Sequence, residues 1–277
     1  MSIFQWKHLK TSLKKTSLLA YILAAESAFS CVITMGYRTN AREPLIKASP
    51  NHEGLYFDLY SKAAKNIGCE LKVVRAPKER INKGLQEGII DFYPGYNFTE
   101  DRANFAYFIQ NGLPGGEVGV SKSSFKNVTD INRDLEGKTL LVVKGGLDFV
   151  ENPKIRKRSL SDVSVDKAIE YIRQDLADFY IYNRSTLEYY VKKMAHKDIK
   201  IHPNCCGKPK PLYLGFSRRG KNYKEVANSS FNTKMVQSPK NFPVKLKLGS
   251  VAQKFEAELN KLSQKGYTND LYNKYFK

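Results

Sequence analysis

The chain has 277 residues, of which 42% are hydrophobic and 12% are aromatic. This length excludes a domain too small to bury a core, and it favours one large or two medium lobes. The formal net charge of +19 is compatible with a nucleic acid, an anionic membrane surface or an anionic ligand as partner, and charge alone does not separate these three.

Residues 1–30 are typical of an export signal, because four lysines precede the apolar run 17–25 and small residues follow it. The run is too short to span a bilayer. Ala28 and Ser30 occupy the two small-residue positions of a cleavage site, so we expect a signal peptide over 1–30 and a periplasmic mature protein that begins at Cys31. Lipidation of Cys31 is the less favoured alternative, because Ala28 and Phe29 fit a lipoprotein cleavage box poorly. Without this segment the chain keeps 42 basic and 26 acidic residues, a net charge of +16.

Strand and helix patterns alternate from residue 32 onward. Residues 32–37 predict a strand, 55–68 a helix ending at Gly68, 70–76 a strand, 78–88 a helix ending at Gly88, and 89–95 a strand. This order predicts a parallel sheet with crossover helices.

The pattern restarts in the second half of the chain. Residues 134–143 predict a strand followed by a glycine turn, 164–174 a helix, 178–183 a strand and 185–195 a helix. Residues 212–217 form another apolar run, and the amphipathic segment 250–266 is followed by 267–276 at the C-terminus. We predict an α/β protein of two lobes in series, with 31–118 and the return segment 215–277 in lobe 1 and 119–214 in lobe 2.

The four cysteines form an even set, and an exported protein reaches an oxidising compartment. Cys31 and Cys69 each come immediately before one of the first two predicted strands. If these strands are parallel neighbours, their starts lie side by side at bonding distance, which predicts a Cys31–Cys69 disulfide. Cys205 and Cys206 are adjacent in a loop flanked by proline and glycine, and form either a vicinal disulfide or two free thiols.

His202 is the only imidazole near this cysteine pair, so no zinc pattern is present, and we expect neither a metal nor a cofactor.

The segment "NFTEDRANF" (97–105) places a cation where a helix start disfavours one. Thr99 is a good N-cap, and Glu100 and Asp101 suit the positive end of the helix dipole. Arg102 then falls at the third helical position, where a capping box has Glu or Gln. An anionic group should compensate, either a neighbouring carboxylate or a bound ligand.

Six segments carry a resemblance to a known family. In chain order they are "EPL" (43–45), "GLYFDL" (54–59), "GIID" (88–91), "TEDR" (99–102), "LEGKTLLVVKGG" (135–146) and "GYTNDLYNKYF" (266–276). Their order resembles family 3 extracellular solute-binding proteins, the two-lobed periplasmic receptors of polar amino-acid ABC importers. The resemblance implies the type II periplasmic binding fold, with mainly parallel sheets, flanking helices and two hinge crossings. It also implies a ligand between the lobes, an ABC transporter permease as partner, and a monomer.

The resemblance gives Arg102 a role, because the arginine of the family's Thr-x-x-Arg motif pairs with the ligand's α-carboxylate. It also implies that Tyr93, Tyr96 and Asn97 line the cleft at positions where the family often has small hydroxyl residues. For Tyr96, simple core packing is an alternative.

Lobe 2 departs from the family pattern at two places. The family usually offers threonines at its turn, where this chain has Gly145, Gly146 and Leu147, which keep the backbone donors and lack the hydroxyl groups. Asp148 either caps the next helix or lines the cleft. Many members carry an aspartate that pairs with the ligand's α-ammonium at the end of the next strand, where this chain has Asn183. The ligand therefore need not be an α-amino acid, and an anionic or uncharged molecule is favoured over a cationic one.

Three further residues are weaker candidates for the cleft. Arg80 begins a predicted helix after "AP" and lies either near the cleft mouth or on a solvated helix start. Arg38 follows the first strand, at the edge of a parallel sheet where open α/β sheets bind ligands. Tyr37 could replace the aromatic residue that the family usually has near "EPL".

Three classes of function remain to be compared. The first is a binding protein that serves an importer or, alternatively, a membrane signalling protein. The second is an enzyme of the cyclohexadienyl dehydratase type on the same fold, for which Glu43 and Glu117 are the only candidate carboxylates and have no supporting partner in the sequence. The third is nucleic-acid binding, which export and the lack of a recognition motif disfavour.

Overall fold

The computed structural model describes residues 31–144, 146, 150–194, 197–208 and 210–276. The expected signal peptide, residues 1–30, lies outside the described residues. Within the described part of the chain, no helix combines the length and apolar character that a membrane span requires.

Strands and helices follow one another along the whole described chain. The strands are β1 (Cys31–Tyr37), β2 (Cys69–Arg75), β3 (Phe92–Pro94), β4 (Ala106–Gly115), β5 (Glu117–Lys122), β6 (Thr139–Val143), β7 (Arg156–Leu160), β8 (Phe179–Asn183), β9 (Ile199–His202), β10 (Lys210–Ser217), β11 (Glu225–Ala227) and β12 (Val244–Leu246). The helices are α1 (Leu55–Asn66), α2 (Lys78–Glu87), α3 (Glu100–Ala103), α4 (Ile131–Asp134), α5 (Val165–Arg173), α6 (Arg184–Met194), α7 (Val251–Gln264) and α8 (Tyr267–Phe276).

Two five-stranded sheets define the two lobes. The sheet of lobe 1 has the order β2-β1-β3-β10-β4, and that of lobe 2 has the order β7-β6-β8-β5-β9. In each sheet three neighbouring strands are parallel, whereas β10 in lobe 1 and β5 in lobe 2 run antiparallel to both of their neighbours. The two-lobed α/β prediction is confirmed, but the sheets are mixed, because β5 and β10 are the strands by which the chain enters each lobe from the other one.

The chain changes sheets at two places that lie side by side. The first is Gly116, between β4 and β5, whose φ of 104° is a left-handed conformation that suits glycine. The second lies between His202 at the end of β9 and Lys210 at the start of β10, and Lys210 pairs with Gly115 across the sheet of lobe 1. Both changes of sheet come a few residues before the boundaries expected after residues 118 and 214.

The disulfide prediction for β1 and β2 is confirmed. Cys31 and Cys69 are register partners at the first position of the two parallel strands, with their Cα atoms 4.6 Å apart, and they form a disulfide. Cys205 and Cys206 are joined in the second crossing, which selects the vicinal disulfide from the two alternatives.

Amphipathic helices cover the sheets and bury the core. In α1 the buried residues recur at helical spacing and include Leu55, Leu59 and Ala63, and α2 ends at Gly88 in the left-handed conformation typical of a helix C-cap. The core of lobe 1 is rich in aromatic side chains and includes Phe92, Phe216 and Phe255. This packing fixes the ends of β1 and β3, where the functional candidates lie.

Candidate ligand-binding site

A partly open cavity lies between the two sheets. Lobe 1 contributes the carboxyl ends of β1 and β3 and the first residues of α2, while lobe 2 contributes β6 and β8 and the turn after β6. About 110 Å³ of the cavity accepts the centre of a water molecule. Because parallel strands end together at one edge of a sheet, each lobe presents polar side chains and backbone groups to the same space.

Arg102 is fixed by its own helix and lines this cavity. The Thr99 hydroxyl accepts a hydrogen bond from the backbone N–H of Arg102 at 3.2 Å, as expected for an N-cap of α3. The side chain is 8% exposed, and its Nη1 donates to the carbonyl of Asn97 at 3.0 Å. The guanidinium carbon lies 4.3 Å from the ring centre of Tyr96, a cation–π contact that holds the planar group in place.

Of the other candidates from lobe 1, three line the cavity and one lies beneath Arg102. Tyr37, Tyr93 and Asn97 line the cavity. Tyr96 instead lies fully buried beneath Arg102, and its hydroxyl donates to Oδ1 of Asn82 at 3.1 Å. Tyr96 therefore packs behind the guanidinium and does not itself line the cavity.

The two basic residues near the start of α2 face in different directions. Arg80 is exposed and does not line the cavity, whereas Lys78 is partly buried and does. Two positions along a helix correspond to a rotation of about 200°, so the two side chains point to nearly opposite sides. The sequence analysis missed Lys78, although its place directly after the strand and the "AP" pair was a usable signal.

The amine of Lys78 packs over two aromatic rings. Its Nζ lies 4.7 Å from the ring centre of Tyr93 and 5.7 Å from that of Tyr96. Burial, followed by the positive charges of Arg102 and Arg38, lowers the pKa of Lys78 well below 10.5. An anion in the cavity would restore the charged form.

On the side of lobe 2, the turn after β6 is partly described. Gly146 lines the cavity, and its backbone N–H donates to the carbonyl of Val143 at 2.8 Å. Gly145 and Leu147, together with Asp148, lie outside the described residues.

Asn183 ends β8 and lines the cavity. Its Oδ1 accepts hydrogen bonds from the backbone N–H of Thr186 at 3.1 Å and from the Thr186 hydroxyl at 3.2 Å, an arrangement typical of an N-cap. The acceptor atom of the amide is therefore committed to the first turn of α6, and the Nδ2 group carries the remaining donors.

A cluster of polar side chains joins the lobes beside the cavity. Arg38 Nη2 and Arg42 Nε donate to the hydroxyl of Tyr182 at 2.8 and 2.9 Å, and both guanidiniums lie within 3.5 Å of the Asp162 carboxylate. Arg38 is 2% exposed and Arg42 is fully buried. Burial alone would raise the pKa of Tyr182, but the two guanidiniums outweigh burial and lower it below 10.0. We call these four residues the interlobe cluster.

The carboxylates considered for catalysis have different positions. Glu117 lines the cavity, where it accepts a hydrogen bond from the Asn97 amide and pairs with Lys210 Nζ at 2.9 Å. Glu43 pairs with Lys193 at 2.6 Å outside the cavity.

A buried serine–histidine pair also occurs in lobe 2, away from the cavity. The Ser121 hydroxyl lies 2.7 Å from Nε2 of His202, while Nδ1 of the ring accepts from the backbone N–H of Val128. The neutral ring therefore carries its proton on Nε2 and donates to Ser121, which is opposite to the direction needed to activate a nucleophile.

This geometry is that of a two-lobed binding protein with a polar cleft between its lobes. Residues 33–277 match the sequence profile of the bacterial extracellular solute-binding proteins, family 3, and the chain belongs to this family. A comparison with curated proteins gave no match.

Solved structures show the same fold at low sequence identity. A mutant of ArgBP from T. maritima is 19% identical, with a TM-score of 0.65 over 88% of this chain and 95% of that one. A substrate-binding protein of an ABC uptake transporter from Streptococcus pneumoniae, with bound histidine, is 17% identical, with a TM-score of 0.66 over 88% and 92%. The ancestral amino acid-binding protein AncCDT-1, a precursor of cyclohexadienyl dehydratase, is 16% identical, with a TM-score of 0.62 over 89% and 95%.

Proposed function

We propose that the protein captures a small carboxylate-bearing solute between its lobes in the periplasm and delivers it to an ABC transporter. The main support is the placement of Arg102, an almost fully buried guanidinium that lines the cavity between the lobes. A guanidinium matches a carboxylate with two parallel hydrogen bonds. The bound histidine of the Streptococcus pneumoniae relative supports a ligand of amino-acid size.

A thermal-shift screen of the purified mature chain tests this proposal. Binding to the folded state alone raises the Tm by mass action, so a small organic acid that binds in the cavity raises it, and a tighter ligand raises it more at the same concentration. The screen should contain amino acids, dicarboxylates, monocarboxylates and matched uncharged amides. We expect the hits to carry an acidic group. A best ligand without any acidic group would exclude the role of Arg102.

Variants of two arginines test whether the Tm shift depends on a residue of the cavity. Arg102→Ala should weaken binding roughly 10- to 150-fold and remove most of the shift, because a charge-assisted pair contributes about 1.5 to 3 kcal/mol of the roughly 8 kcal/mol behind a micromolar affinity. Arg80→Ala, a change at an exposed position outside the cavity, should leave the shift unchanged. Equal losses in both variants would indicate an electrostatic effect of the whole surface instead of a site.

Glu117 provides a check on the enzymatic alternative, because among the described residues it is the carboxylate that lines the cavity. If the protein is a binding protein only, incubation with a prephenate-like acid leaves that acid intact. Turnover that is lost in Glu117→Gln would favour a dehydratase.

A further inference from the structure

Two buried donors at the cavity have no partner in the part of the chain that the structure describes. They are the hydroxyl of Tyr180 and the Nε of Arg38, and both residues are 2% exposed and line the cavity. A buried donor without a partner costs free energy, so these two groups indicate a bound acceptor. The Nε of Arg38 can only donate, whereas the Tyr180 hydroxyl can also accept.

Lys78 adds an amine to the same cavity. Among the described residues it has no carboxylate partner, and its contacts are with the faces of Tyr93 and Tyr96. An anionic group beside this amine would favour its charged form, which has three N–H donors. The cavity therefore offers a second place for an acidic group, besides the one that Arg102 would take.

The end of β8 offers no carboxylate to an ammonium group. The Oδ1 of Asn183 is used in capping α6, and its Nδ2 donors have no partner among the described residues. A donor facing this part of the cavity disfavours an ammonium, which itself can only donate.

Two carboxylates among the described residues lie at or beside the cavity, and both have cationic partners. Glu117 pairs with Lys210 at 2.9 Å and accepts from Asn97, and Asp162 pairs with both Arg38 and Arg42. Within the described part of the chain, the Oε2 of Glu117 is buried and has no hydrogen-bond partner apart from this ion pair, so an ammonium at this oxygen is the alternative that the experiment below has to exclude.

We propose that the ligand is a small dianion without an ammonium group, of which a dicarboxylic acid is the simplest case. Lys78, Arg38 and Tyr180 form the subsite for its second acidic group, opposite the carboxylate held by Arg102. This inference rests on the proposed function, because it adds a second acidic group to the one assigned to Arg102. A ligand of this kind would distinguish this chain from receptors that bind α-amino acids.

Matched pairs of acids test the inference by calorimetry. Succinate and aspartate differ by one ammonium, as do glutarate and glutamate, while butyrate and pentanoate lack the second acidic group. We expect the best dicarboxylate to bind at least tenfold tighter than its amino-acid and monocarboxylate counterparts, the factor expected for one charge-assisted contact. Including 3-phosphonopropionate shows whether the second group is read as a carboxylate or as a phosphonate.

Two variants assign the effect to residues. Lys78→Met removes the charge and keeps the length, so it should lower dicarboxylate affinity tenfold or more and leave monocarboxylate affinity within about threefold. Lys83→Met on the same helix is the matched control, because Lys83 is 72% exposed and pairs only weakly with Glu87. Asn183→Asp keeps an N-cap and adds a carboxylate, so it should raise the affinity for glutamate relative to glutarate.

The outcomes distinguish this inference from the proposed function. If an amino acid binds as tightly as its ammonium-free counterpart, and Arg102→Ala still weakens binding, the inference is wrong and the proposed function stands. If no acid of the panel binds, both are wrong. Equal affinity of Lys78→Met and the parent protein for every dicarboxylate would also exclude the second subsite.

Discussion

Lys78 shows how one residue can couple ligand binding to protons. Burial lowers its pKa in the empty cavity, and a bound anion would raise it again. Binding of an anion should then be accompanied by proton uptake. The affinity is fully present below the ligand-free pKa of Lys78 and is lost as the pH rises through its ligand-bound pKa.

Calorimetry in two buffers of different ionisation enthalpy measures this proton uptake directly. The parent protein should take up a fraction of a proton per bound dicarboxylate, and Lys78→Met should take up less. Lys83 is 72% exposed and does not line the cavity, so Lys83→Met should match the parent. An enthalpy that is independent of buffer in the parent protein would contradict the prediction.

His202 makes a second prediction, one that concerns stability. Burial, followed by the charge of Lys200, lowers the pKa of His202 to about 4, and its ring is 2% exposed. Because the unfolded chain binds the proton near pH 6.5, the stabilisation is fully present above that pH and is lost as the pH falls towards 4. The full loss is about 3 kcal/mol, at 1.36 kcal/mol for each pKa unit.

Denaturant unfolding at pH 7.5 and at pH 4.5 measures the effect of His202. Buried Asp91 and half-buried Glu256 have raised pKa values and act in the opposite direction, so the informative quantity is the difference from a variant. His202→Gln can accept from Val128 and donate to Ser121 without titrating, and it should lose less stability on acidification. Identical pH dependence in both proteins would exclude this origin.

Among the secondary-structure elements, β1 and β2 carry a covalent link at their shared start. The Cys31–Cys69 disulfide closes a loop of 38 residues, and loop-closure entropy predicts a stabilisation of about 2 to 4 kcal/mol. The double variant Cys31→Ala, Cys69→Ala should lose this amount in denaturant unfolding. The variant Cys205→Ser, Cys206→Ser is the control, because a bridge between neighbouring residues closes almost no loop. Equal losses in the two double variants would contradict an entropic origin.

How far the sequence predicts the elements depends on how strongly each one is patterned. Helices such as α1 and α5 and buried strands such as β1 and β8 follow from apolar periodicity and from caps at their ends. Strand β7 was not predicted, because its sequence "RKRSL" is mostly exposed and charged and carries no strand pattern. Its pairing with β6 is a tertiary contact, which local propensity does not encode.

The residues of the candidate site also differ in how far the sequence could reveal them. Arg102 could be found because a cation at the third helical position conflicts with local preference, and such conflicts occur at functional sites. Lys78, Tyr180 and Tyr182 could not be separated from ordinary helix and strand residues, because their role depends on which way they face between the lobes. The direction of Arg80 was uncertain for the same reason, and the structure places it in solvent.

For the molecule as a whole, the interlobe cluster is positioned to control closure. Arg38 and Arg42 follow β1 in lobe 1, whereas Asp162 and Tyr182 belong to lobe 2, and the hydrogen bonds between them exist only while the lobes are in contact. Arg38 also lines the cavity. One residue therefore borders both the ligand space and the opposite lobe, so we expect ligand binding to favour the closed arrangement.

Removing the anion of the cluster should open the molecule. In Asp162→Asn the two buried guanidiniums lose their counter-charge and repel each other, so the ligand-free protein should show a larger radius of gyration by small-angle X-ray scattering. The apparent ligand affinity should fall in proportion to the smaller closed population. Asp175→Asn is the matched control, because Asp175 is 81% exposed and pairs with Lys122 within lobe 2. If both variants have the radius of gyration of the parent protein with and without ligand, the cluster does not govern closure, and the hinge at Gly116 and the second crossing must set the equilibrium by themselves.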